Sequence, residues 1–267
     1  MKPYNKKSVL LTLVLTLLCA AAAQGQEFWE KKPYQKWSEK EARKLLTDSP
    51  WAQDHTLSQV FIQPVGSPGA GRPPVQDVTS TRSSDPFGRD DAGRALQGRP
   101  ELKYQAQFRS ALPIRQAIVR LNQINLKYDD LTPEQKAAFD KNAEAFLAKS
   151  FPDTLVLYVS YTTNVQVDDR DMAAYWQRQT IDTLKNSVFL ILPGGEKIPL
   201  SEFGIAKGGR EFQFVFPRTR EGRSLIQAKD KSVQLEFIHP KVRDQKESRV
   251  LISFKTEKMM MDGVAVY

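Results

Sequence analysis

In "EFQFVFPR", Glu211 to Arg218, every second residue from Phe212 to Phe216 is a phenylalanine. Successive side chains of a strand point to opposite faces, so this spacing sets Phe212, Phe214 and Phe216 on one face. Three rings in a row need a second apolar layer to cover them. The same period recurs in "SVQLEFIHP", with Val233, Leu235 and Phe237 inward, and in "RVLISFKTEKM", with Val250, Ile252 and Phe254 inward. Upstream, Leu102, Tyr104, Ala106 and Phe108 alternate with the polar residues of "ELKYQAQFR". "TLVLYVSYTT" starts apolar on both faces, as a central strand does, and "SVFLILPGGEKIPL" predicts a hairpin turning at Gly194-Gly195.

Helix signals interrupt this pattern. Ser38-Glu39-Lys40-Glu41 has the form of a capping box, with Trp37 and Ala42 at the two positions of a hydrophobic staple. Pro50 disfavours helix at Ser49, so the helix should stop near Thr47 or Asp48. A strand is expected next, around Leu57 to Ile62. Pro113 suits the first turn of a second helix carrying Ile114, Ala117, Ile118, Leu121 and Ile124. Thr132, Pro133 and Gln135 open a third, with Phe139, Ala143, Phe146 and Leu147 expected inward. The short link between these two predicts an antiparallel helical hairpin. "DDRDMAAYWQRQTIDTL" reads as a further helix capped by Asp168 or Asp169, with Met172, Trp176 and Leu184 near one face. Seven or eight strands with three or four helices predict an α+β fold: a mostly antiparallel, sandwich-like β-sheet with an N-terminal helix and a helical hairpin.

Residues 1–25 have the layout of a secretory signal peptide: Lys2, Lys6 and Lys7, a short apolar run from Ser8 to Ala23, then small residues. The run is short for a membrane span. Cys19 raises the alternative of a lipoprotein, but Leu18 stands where a small residue normally precedes the modified cysteine. A released periplasmic or extracellular protein is therefore expected, with no transmembrane span after cleavage. Residues 26–63 read as a helical clasp and first strand, and residues 101–267 as the helical hairpin and β-rich remainder of the same domain. Between them, residues 64–100 contain six glycines and six prolines and few apolar residues, the composition of a disordered insertion.

Composition narrows the chemistry. Cleavage after Gly25 removes three lysines and no acid, lowering the net charge from +8 to +5. The remaining charges are mixed rather than clustered, which argues against a nucleic-acid groove. Cys19 is the only cysteine, so the cleaved chain holds neither a disulfide nor a cysteine nucleophile. His55 and His239 are the only histidines and have no metal-ligand spacing, so no metal site and no cofactor is expected. "DDRD", Asp168 to Asp171, lacks the spaced acids, turn glycine and closing glutamate of an EF-hand, and helix capping accounts for it more simply. "LPGGEK" and "AKGGREF" lack the ending of a phosphate loop, and the G-x-S-x-G elbow is absent. Met259-Met260-Met261 reads as a strand end and tail. No catalytic residues can be named.

Three of the four tryptophans, Trp29, Trp37 and Trp51, lie around the first helix. Trp37, Ser38, Glu41 and Trp51 have definable packing and capping roles in a structural clasp. Trp29 and Tyr34 are the candidates for contact with a ligand or partner, because Trp and Tyr present large amphipathic surfaces.

"W-S-x-x-E-A-x-x-L-L-x-x-S-P-W-A", Trp37 to Ala52, with "F-R-S-A-L-P-I-R-Q-A", Phe108 to Ala117, resembles uncharacterised secreted proteins frequent in acidobacterial genomes. The resemblance implies export and a shared fold, and it brings no established activity. The leading expectation is an exported, non-enzymatic binding or interaction protein of the bacterial envelope, meeting an envelope protein or a glycan. The alternative is a hydrolase acting on cell-wall or polysaccharide material through an unmarked pair of carboxylates.

Overall fold

The computed structural model describes residues 27–58, 101–206, 208–227, 229–242, 247–261 and 264–267. The leader with Cys19, the end of the strand expected to reach Ile62 and the insertion at 64–100 lie outside the described residues.

Helices alternate with an antiparallel β framework. The chain opens with α1 (Phe28–Lys31), a 3-10 turn and α2 (Glu39–Thr47), then enters β1 (Ala52–Ser58). Next come β2 (Glu101–Phe108), α3 (Leu112–Asn125), α4 (Pro133–Ala148) and β3 (Thr154–Thr163). After α5 (Gln166–Gln177) and α6 (Ile181–Leu184) the chain is largely β. It runs through β4 (Phe189–Ile191), β5 (Lys197–Pro199), β6 (Glu202–Ile205) and β7 (Glu211–Pro217). Two short strands follow, β8 (Thr219–Arg220) and β9 (Arg223–Ser224), then β10 (Val233–His239) and β11 (Ser248–Phe254), and finally β12 (Met260–Met261) and β13 (Val264–Ala265).

Two sheets carry the core, one ordered β1-β2-β3-β7-β6 and the other β11-β10-β4-β5, with every pairing antiparallel. A strand before the helical hairpin pairs with one after it, Tyr104 of β2 standing opposite Tyr161 of β3, and β3 in turn sets Leu157 opposite Phe214 of β7. The period-two residues named from the sequence on β2, β7, β10 and β11 are buried. Rings cross between the layers edge-on, with Tyr104 and Phe237 4.9 Å apart and Phe108 and Phe254 4.8 Å apart. Trp176 of α5 enters the same core and stacks on Phe212 at 4.0 Å.

Local signals set most element ends. Ser38 Oγ accepts from Glu41 N–H while Glu41 accepts from Ser38 N–H, and α2 closes at Thr47. Thr132 and Gln135 form the same reciprocal pair at the start of α4. Gly194 and Gly195 take φ of +96° and +89° between β4 and β5, as the hairpin requires. Gly209 also has positive φ, and a Cβ there would lie 2.4 Å from the Ala173 carbonyl oxygen, so the β6–β7 turn presses directly on α5.

Four expectations are corrected. β1 starts at Ala52 rather than near Leu57, because its register against β2 begins with Ala52 opposite Gln107. Helix α5 starts at Gln166, with Val165 at the N-cap, so neither Asp168 nor Asp169 caps it. The sequence from Asp168 to Leu184 is divided between α5 and α6, and Thr180 with Thr183 caps the second. Finally, α4 buries no residue: Phe139, Ala143 and Leu147 are half-buried and Phe146 is 37% exposed. Helix α3 is packed by α2 as well as α4, which buries Val119 and Gln123 outside its predicted stripe, whereas the main helix contact of α4 among the described residues is α3.

The methionine run is also more than a strand end. Met259 is fully buried, Met260–Met261 pairs with Val264–Ala265, and Val266 N–H donates to the Met259 carbonyl at 2.8 Å.

Candidate functional site

The N-terminal tryptophans converge. Trp37 and Trp51 have no solvent exposure and Trp29 has 5%. Trp29 meets Trp51 edge-on at 5.5 Å, and Phe28 meets Trp29 at 5.0 Å and Trp37 at 5.7 Å. Helix α1, which no sequence signal announced, folds the ring of Trp29, one of the two candidates for ligand or partner contact, onto Trp51, where it is buried. Tyr34 is half-buried, 6.3 Å from Trp37, and its hydroxyl is raised by burial first and then by Asp140 and Glu144. It touches the interior of the molecule as much as solvent.

Polar groups close this cluster. Trp37 Nε1 donates to the Lys32 carbonyl at 3.1 Å, Arg120 Nε donates to the Trp37 carbonyl at 2.7 Å, and Trp51 Nε1 donates to the Val266 carbonyl. Lys32 Nζ lies 2.8 Å from Glu41, and this contact, aided by the Ser38 hydrogen bonds, holds the Glu41 carboxyl down at about 2. A depressed folded value means stability present above the ordinary value of 4.5 and lost as pH falls toward about 2. Glu41→Gln should therefore flatten the stability profile across that window in acid denaturation monitored by circular dichroism. An unchanged acid limb would refute the linkage.

The remaining candidates are dispersed. His55 lies within β1 and is half-buried, while His239, 1% exposed, has Nδ1 2.9 Å from the Tyr104 hydroxyl between the two sheets. Asp169 accepts a two-point contact from Arg210. Among the described residues, no three His, Cys, Asp or Glu side chains are grouped to hold a metal ion. No helix among them is long and apolar enough to cross a membrane.

A cleft of about 580 Å³ opens elsewhere, on the outer face of the five-stranded sheet. Its floor is Val156 and Tyr158 of β3 with Gln213 and Val215 of β7, and the segment 149–153 after α4 forms one wall. Arg109, just after β2, lays its guanidinium over the Tyr158 ring, 4.1 Å from the ring centre. Its Nε is buried without an acceptor, and burial lowers the guanidinium from its usual value against the opposing pull of Tyr158 and Glu211. Arg115, 7% exposed, donates through Nη1 to the carbonyls of Phe146, Leu147 and Lys149 at 3.1, 2.7 and 2.7 Å, closing the end of α4. Its Nε is likewise unpartnered, and neither arginine pairs with a carboxylate among the described residues. Lys149 lies over Phe151 at 5.1 Å, while the carboxylates on the lining are Asp153 and Glu202. Smaller hollows of about 480 and 270 Å³ flank β6 and contain no arginine or lysine.

Sequence reasoning did not find this cleft. Two signals were present: apolar residues on both faces of β3, and two arginines bracketing "S-A-L-P-I" in the segment Phe108 to Ala117. Neither says that both cations end on one side of the sheet beside Tyr158.

No family model matches this sequence, and no curated protein matches it. Among solved structures, a likeness is found to the surface layer protein SbsC, domains 1–6, at 16% identity and a TM-score of 0.23. The alignment covers 53% of this chain and 19% of that one, so the matched region spans about a fifth of the solved structure. A superposition this weak assigns the chain neither a fold nor a role.

Proposed function

We propose that this is an exported, non-enzymatic binding protein of the bacterial envelope, and that its ligand occupies the cleft on the outer face of the five-stranded sheet. Export rests on the basic, apolar and small-residue leader, and the family reading on the resemblance of the tryptophan-serine motif to that of secreted acidobacterial proteins. One observation carries the choice of site: on the lining of this cleft, which is larger than the two hollows beside β6, the Arg109 guanidinium stacks on Tyr158 and pairs with no carboxylate among the described residues. A concave site with apolar walls and a few converging polar groups is the usual form of a ligand pocket.

The hydrolase alternative has a foothold in the same cleft, where Asp153 and Glu202 supply two carboxylates. Thermal melting with soluble cell-wall fragments separates the two readings. Binding alone predicts that the fragments raise the melting temperature of the native chain, that Val156→Trp abolishes the shift by filling the cleft, and that the fragments are recovered intact. Shortened fragments, with cleavage lost in Asp153→Asn or Glu202→Gln, would establish the hydrolase instead. A shift that survives both Val156→Trp and Arg109→Gln would place the ligand elsewhere.

A further inference from the structure

Given the reading of the cleft as the ligand site, we propose that it takes an acidic saccharide of one or two sugar units, whose carboxylate is held by the Arg109 guanidinium. Three features of the cleft lead there.

The first is the state of Arg109. Its stack on Tyr158 at 4.1 Å orients the guanidinium plane without using an N–H, and no carboxylate among the described residues forms an ion pair with it. A guanidinium edge presents parallel donors that match the two oxygens of a carboxylate. Arg115, buried close by with no carboxylate partner, adds a fixed positive charge while its Nη1 is committed to α4.

The second is charge balance. On the lining itself Arg109, Arg115 and Lys149 outnumber Asp153 and Glu202 by a single positive charge, while Glu211, which also acts on Arg109, stands outside it. One carboxylate neutralises that excess. A polyanion would bring further charges against the two acids, at a cost that grows with each.

The third is the nature of the floor. β3 is hydrogen-bonded to β2 and β7, and β7 to β3 and β6, so no strand edge is open in the floor for a peptide backbone to pair with. Recognition falls to side chains. Ser150, Thr154 and Gln213 supply scattered hydroxyl and amide groups, and Phe146, Val156 and Val215 supply apolar surface. A sugar ring, with hydroxyls on its rim and C–H groups on its faces, matches that mixture. The volume of about 580 Å³ suits a ligand of this size.

Titration calorimetry on the leader-free protein tests this with four probes: a 4-linked galacturonic acid dimer, its neutral galactose counterpart, inorganic phosphate and an acetylated dipeptide with a free carboxylate. The expected result is binding of the acidic dimer, at least tenfold weaker binding of the other three, and a further weakening as salt rises. Arg109→Gln should reduce acidic-dimer affinity at least tenfold, and Arg109→Lys should recover part of it. Arg178→Gln, the same charge change at an exposed position, should leave it unaltered. Equal binding of the neutral dimer, or indifference to Arg109→Gln while Val156→Trp abolishes binding, overturns the acidic class and leaves the cleft standing. Indifference to both variants removes the cleft itself. Equal binding of phosphate or of the dipeptide overturns the saccharide, and so does failure of all four probes to bind.

Discussion

Replacing Trp51 by alanine should lower the melting temperature by roughly 10 °C, a loss of about 3–5 kcal/mol. The indole has no solvent exposure and lies at the junction of elements far apart in the chain. It meets Trp29 edge-on at 5.5 Å, and its Nε1 donates to the Val266 carbonyl, 215 positions away. Its own carbonyl accepts from Phe108 N–H at 2.9 Å, which registers the turn before β1 against the end of β2. Truncation removes the packing volume and leaves the Val266 carbonyl without its donor. Trp51→Phe keeps most of the ring and should lose only about 1 kcal/mol, the value of the missing hydrogen bond. Urea denaturation followed by circular dichroism gives both numbers. Equal losses in the two variants would mean that the hydrogen bond, rather than packing, secures the N-terminal segment.

Arg115→Met should cost about 2–4 kcal/mol and free the C-terminal turn of α4. Helix α4 has no buried residue, so its attachment depends on a few strong contacts. Arg115 supplies three of them, to the carbonyls of Phe146, Leu147 and Lys149. Methionine preserves the aliphatic length but orphans those acceptors. Amide hydrogen exchange should accelerate selectively in the last turn of α4, ahead of any change in the sheets. A neutral or stabilising outcome would show that the desolvation cost of the cation outweighs its hydrogen bonds. Arg109 provides the contrast six residues earlier, since its side chain holds no carbonyl and Arg109→Met should change stability by under about 1 kcal/mol. Two arginines of one short segment thus have opposite uses: one closes a helix, and the other offers its donors to the cleft.

The clasp and the cleft were unequally legible. Ser38 with Glu41 and Thr132 with Gln135 are pairs three residues apart, and their geometry follows from residue type and spacing. Phe212, Phe214 and Phe216 faced inward for an equally local reason, the two-residue repeat of a strand. Trp29 escaped because no cap or period announces α1, a helix of four residues that packs its rings on Trp37 and Trp51. Phe146 escaped in the opposite sense: its helical spacing marked it as inward, but it lies 37% exposed on the lining of the cleft.

By itself the sequence determined which residues alternate, that the boxes at Ser38 and Thr132 each open a helix, and that antiparallel sheets with one apolar face must cover each other. Each of those decisions is made within a few residues, by hydrogen-bond reach or by side-chain direction along a strand. The tertiary structure alone decided that Arg109, Tyr158 and Val215 line one cleft and that Trp51 is tied to Val266. Those neighbours come from strands and segments far apart in the chain, and their meeting depends on strand order and on how the end of α4 settles on the sheet. A guanidinium partly desolvated, stacked on a tyrosine and without a paired carboxylate among the described residues is created only at that stage, when the fold removes its water.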